Sequence, residues 1–220
     1  MNNLEKLAKS CDLLIVESLE MLHVFEITIR VTKNLFERFE SVKEEEVKNH
    51  FNFSKHLTYL NSYLTITIID LAVNLKGLSN ANSNWERIFF IKNAFLVIFE
   101  STNKLDVNKH AFIYQNIKKD YSEFIPKCES FNEKLKLFIQ EPHFKLIRKV
   151  RNNLSAHIES KFEKYYSIAF SLDGEECGKI IHSFIEILSD LQPILQELQS
   201  RINNKNVLIN AKYQKLNINA

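Results

Sequence analysis

Between Lys145 and Glu159 the chain reads KLIRKVRNNLSAHIE. Three cations (Arg148, Lys149 and Arg151), two adjacent asparagines and the histidine His157 interrupt a pattern that is otherwise helical and apolar. Guanidinium and ammonium groups hold oxyanions, and imidazole exchanges a proton near neutral pH. Such a density suits a site that handles an anion, and it equally suits a solvated helix edge. On a helical wheel Ile147, Val150, Leu154 and Ile158 gather into one core-facing stripe. Arg151 falls on one border of the stripe and His157 on the other, roughly 120° apart. Side chains share a face at spacings of three or four, and these two lie six apart. A single straight helix cannot close a site around them, so a second surface must complete it.

Arg151, a polar Asn152 and then His157, with five residues between the arginine and the histidine, resembles the signature of the HEPN superfamily. That signature is an arginine, a polar residue and a histidine after four to six intervening positions. The Ala156-His157 ending followed by Glu159 is similar to the abortive-infection HEPN proteins of prokaryotes. The resemblance implies a HEPN-like helical bundle and a metal-independent endoribonuclease of a defence or toxin–antitoxin system. Its site would lie in a cleft between two protomers, each supplying its own Arg151 and His157. His157 would act as general acid or base on the RNA 2′-hydroxyl or the leaving 5′-oxygen. Arg151 would hold the phosphate and stabilise its developing charge, and Asn152 would orient the histidine or donate to phosphate. Lys145, Arg148 and Lys149 would meet the RNA backbone. The implied product is a 2′,3′-cyclic phosphate, with no metal and no cofactor. The implied partners are RNA, a second copy of the chain, and a cognate antitoxin or nucleotidyltransferase. The competing reading is a non-catalytic helical module with the same fold that works through protein or nucleotide binding.

The elements that would carry these residues follow from composition and period. Three glycines and three prolines in 220 residues leave few turn residues for a many-stranded protein. We expect an all-α bundle of about five to seven helices: one domain over residues 1–202 and a polar tail, frayed or partner-docking, over 203–220. Helical spacing runs from Leu4 through Phe39, with a soft break near the β-branched ITIRVT. Leu57 to Leu75 reads as a buried central helix, with Gly77 at its C-terminal cap. Ser83 and Glu86 form a capping-box pattern that opens a helix from about Asn84 to Leu105. Pro126 and Pro142 mark further breaks or starts, and KFEKYYSIAFSL reads as helix or short strand. Asp173 and Glu176 form a second capping pattern before the last helix, which Pro193 is placed to bend.

A net charge of +2 excludes a general polycation, so any nucleic-acid preference must come from a local patch. Cys11, Cys128 and Cys177 are odd in number and widely spaced, which points to buried thiols in a reducing compartment and not to a disulfide frame or zinc site. No signal peptide or membrane span is expected, and the chain reads as a cytoplasmic protein. Trp85 reads as a packing anchor, and His23, His50, His56, His110, His143 and His182 lack surroundings comparable to those of His157.

Overall fold

A computed structural model describes residues 3–39, 45–155 and 162–218. Among them are eight α-helices and no strand: α1 (Asn3–Phe39), α2 (Glu45–Ser79), α3 (Asn84–Lys104), α4 (Ala111–Asp120), α5 (Ile125–Gln140), α6 (Pro142–Val150), α7 (Phe162–Phe170) and α8 (Gly174–Ile218). The all-α expectation holds, with eight helices where the sequence suggested about five to seven. The uncertain segment after the polar stretch is helix α7. ITIRVT does not break α1, because Phe25 before it, Thr32 at its end and Leu35 beyond it stay packed in the interior.

Helix α2 is the central post. Leu57, Leu64, Ile68, Leu71, Ala72 and Leu75 are fully buried, each leucine or isoleucine contributing roughly 1.5–3 kcal/mol of transfer free energy. Three long helices run antiparallel to it. α1 is tied by Asp12 to Lys76 at one end and by Leu35 to Val47 and Phe51 at the other. α3 packs Phe90 over Gly77 and sets Lys104 on the Tyr63 ring, 5.2 Å from its centroid. α8 is joined by polar groups: Thr58 donates to Gln199 (3.1 Å), Asn61 to the Leu195 carbonyl (3.3 Å), and Asn206 to Ser54 (3.1 Å).

Two local expectations change for physical reasons. Gly77 lies inside the last turns of α2 with no positive φ, so it is not a left-handed cap; it is there because a Cβ would collide with the Phe90 ring. The polar stretch after residue 202 continues α8 to Ile218, with Asn206 buried against α2 and Ile209 packed against Leu35, Val47 and Phe51. Pro193 is accommodated within the same helix. The capping box of α3 is fully formed, with the Glu86 N–H donating to Ser83 Oγ (3.2 Å) and the Ser83 N–H donating to Glu86 (3.0 Å).

Candidate functional site

Helix α6 begins at Pro142, whose missing N–H costs nothing at a first helical position. Phe144, Ile147 and Val150 are buried, while Lys145, Arg148 and Lys149 are exposed on the opposite side, as the wheel requires. Among the described residues Lys145 and Lys149 carry no ion pair. The α-helix then gives way to a π-helical turn, Arg151–Ser155. Asn153 helps to open it, because its side-chain amide donates to the Lys149 carbonyl at 2.7 Å, the acceptor an α-helix would give to the Asn153 backbone. A π turn advances less than 100° per residue, so from Arg151 to Ser155 the chain is not a continuation of the regular α-helix of α6. Leu154 keeps its inward position. Ala156, His157, Ile158 and Glu159 lie outside the described residues.

The turn lays Arg151 on α3. Its guanidinium carbon stands 5.0 Å from the Phe99 centroid, Nη2 donates to Glu100 Oε1 at 3.1 Å, and Nη1 donates to Asn152 Oδ1 at 3.2 Å. Phe99 in turn stacks on Phe144 (6.1 Å, 19°), and Arg148 sits over Phe144 at 5.9 Å. Two guanidiniums therefore bracket a pair of stacked rings at the junction of α3 and α6. Each cation–π contact at an exposed position is worth about 0.5–1 kcal/mol, and the half-exposed ion pair to Glu100 about 0–1 kcal/mol. The Arg151 Nε–H is screened from solvent and has no acceptor among the described residues. Arg151 is restrained in plane, and the donors it can still offer an oxyanion are the remaining N–H bonds of its two Nη atoms. His143, in the first turn of α6, packs on Phe138 at 4.5 Å, and burial holds its imidazole below the usual range, favouring the neutral form.

The structure brings together Arg151, Asn152 and Arg148 with two α3 residues, Phe99 and Glu100, that the sequence did not single out, while Lys149 points away on the exposed side of α6. Trp85 also departs from expectation. It touches Tyr166 and Phe170 of α7, yet half of it is exposed, so it is a surface aromatic as well as a packing one. The signal that could have found it is the seven-residue step Trp85, Lys92, Phe99, which puts all three on one face of α3. His50, which looked ordinary, is buried at the α2–α8 seam beside a small polar cavity of about 150 Å³ lined by Glu46, Asn49, Asn116, Lys119, Asp120 and Lys205. Burial, and then the charge of Lys205, push its pKa down to about 4.

The three cysteines are free and buried, and desolvation raises their thiols to about 11 for Cys11 and Cys128 and about 12 for Cys177. Among the described residues no group of three or more His, Cys, Asp or Glu is arranged to hold a metal, and no helix is long and apolar enough to cross a membrane. No protein-family model, curated protein or solved structure matches the chain.

Proposed function

We propose that the chain is a HEPN-type, metal-independent endoribonuclease of a prokaryotic defence or toxin–antitoxin system, active as a cytoplasmic homodimer. The observation that carries this reading is the restraint of Arg151: one guanidinium, stacked on Phe99 at the π turn, with the exposed cations Lys145, Arg148 and Lys149 on the turns before it. In this reaction His157 takes the proton from the RNA 2′-hydroxyl, whose oxygen attacks the adjacent phosphorus. Arg151 holds the non-bridging oxygens as charge gathers on them. The P–O5′ bond breaks, and the departing oxygen takes a proton from the imidazolium of the second copy. The products are a 2′,3′-cyclic phosphate and a 5′-hydroxyl. A cognate antitoxin, a nucleotidyltransferase among the candidates, keeps the site silent until it is needed.

The test is cleavage of single-stranded RNA in EDTA by the purified protein, with product ends identified by mass. Arg151→Ala and His157→Ala should each lower the rate by about 10²–10⁴-fold with the helical circular dichroism intact. Cleavage that survives both substitutions would remove the site. A second reading, a non-catalytic binding module, is favoured by one observation: Glu100 already neutralises the Arg151 charge. It predicts no cleavage under any of these conditions.

A further inference from the structure

Helix α3 carries one continuous face that ends at Arg151. At 100° per residue, Trp85, Phe89, Lys92, Leu96 and Phe99 fall within an arc of about 80°. At the far end of this face Trp85 meets Tyr166 (6.2 Å, 73°) and Phe170 (5.4 Å, 87°), which stack on each other at 4.2 Å and 21°. These rings are not core. Trp85 is 51% exposed, Phe89 56%, Tyr166 42% and Phe170 41%. Four large aromatics so exposed on adjacent elements mark a surface that is used. Edge-on contacts with its neighbours leave much of the indole open for a further ring to lie against.

The charges along this face name the occupant. Midway, Lys92 sits over the Tyr165 ring at 5.8 Å, and at the near end stand Arg151 and Arg148. Two carboxylates border the face and both are engaged: Glu86 accepts the backbone N–H groups of Asn82 and Ser83 at the start of α3, which partly offset its charge, and Glu100 pairs with Arg151. Fourteen residues of helix set Trp85 about 21 Å from Phe99, with Lys92 halfway. An aromatic platform, a cation and an arginine clamp in line on one helix face match an unpaired nucleic-acid strand, with bases for the rings and phosphates for the cations. A protein partner would use the rings and leave the aligned cations without a purpose.

We infer that Trp85, Tyr166 and Phe170, with Phe89 beside them, form a base-stacking platform that holds an unpaired stretch of the RNA a few nucleotides from the phosphate at Arg151. The inference rests on the ribonuclease reading for its substrate and adds to it a demand for single-stranded RNA. Bases inside a duplex have no free face to offer the platform.

Trp85 is the only tryptophan of the chain, so its emission reports this surface alone. The full-length protein is titrated with a short single-stranded 2′-O-methyl RNA, which lacks the attacking hydroxyl, and with a blunt duplex of the same sequence. Fluorescence of Trp85 and anisotropy of a dye on the RNA are read in parallel. The expected result is saturable quenching by the single strand and little by the duplex. Phe170→Ala should weaken binding by about five- to a hundredfold, and Phe170→Leu, which preserves packing and removes the ring, by a similar factor. Anisotropy that rises while Trp85 emission stays constant would overturn the platform and leave RNA binding standing. Absence of both signals would overturn the platform and the ribonuclease reading together. Quenching without cleavage of ordinary RNA would support the platform and sink the nuclease. A shift in Trp85 emission that follows protein concentration and ignores RNA would assign the rings to a protein interface and overturn the inference.

Discussion

Replacing Glu100 by glutamine separates an arginine held for an anion from one held for the fold. The carboxylate lies 3.1 Å from Arg151 Nη2. A phosphate taken by the remaining guanidinium donors would stand about two hydrogen-bond lengths away, near 6 Å. Coulomb repulsion between the two anions at that distance is about 0.7 kcal/mol at the dielectric of water and about 2.8 kcal/mol at an effective value of 20. Physiological salt, with a screening length near 8 Å, roughly halves both figures. Arg151 is 33% exposed and Glu100 44%, which favours the lower end and leaves about 0.3–1 kcal/mol. Glu100→Gln should therefore tighten RNA binding about two- to fivefold, and more at low salt. Anisotropy of a labelled single-stranded 2′-O-methyl RNA at two ionic strengths measures this, with thermal melting alongside. The lost ion pair should cost about 0–1 kcal/mol of stability. If affinity at low salt is unchanged or weaker, Arg151 does not face the phosphate and the reasoning fails.

Two further outcomes concern the scaffold. His50 is buried and neutral in the fold, with a pKa of about 4 against the ordinary 6.5. As pH falls through 6.5 the unfolded chain takes up a proton that the folded one refuses, so stability drops between pH 6.5 and about 4, by about 3 kcal/mol in all. Denaturant melts across that window should slope downward toward acid, and a His50→Gln variant should flatten the slope; an unchanged slope would exonerate His50. At Gly77, alanine has the better helix propensity by about 1 kcal/mol, but its Cβ meets the Phe90 ring and the overpacking costs about 1–3 kcal/mol. Gly77→Ala should lower the melting temperature, and in a Phe90→Leu background the same change should become neutral or stabilising. A drop of equal size in both backgrounds would clear Phe90 of blame.

Where local chemistry decides, residues could be read directly. Ser83 and Glu86 announce the start of α3 because the cap is made within four residues, and Pro142 announces α6 because a first helical position is where proline costs no hydrogen bond. Ile147, Val150 and Leu154 follow the helical period into the core. The rest depended on distant partners. Asn206 looks like surface until Ser54 of α2 comes opposite, so the start of the stretch read as a tail is helix packed on the bundle through Ile209. Gly77 looks like a cap until Phe90 is laid across it. Around the candidate site the cations of α6 and Arg151 were legible from type and spacing. Phe99 and Glu100, fifty residues earlier, were not, because only the packing of α3 on α6 brings them to the arginine. The wheel places Arg151 on the border of the buried stripe, where it is found half-buried, but the change to a wide turn was not legible, since it depends on Asn153 spending its side chain on the Lys149 carbonyl.

The π turn at Arg151–Ser155 also sets how this stretch tolerates changes in length. A wide turn lodges one residue more than an α turn while the helix before it stays in phase. Deleting one residue there would close the wide turn to an ordinary α turn, without moving Arg148, Lys149 or the rings beneath them. Chain length at this point is thus a local adjustment: the turn absorbs one residue more or less, and the core below it does not have to.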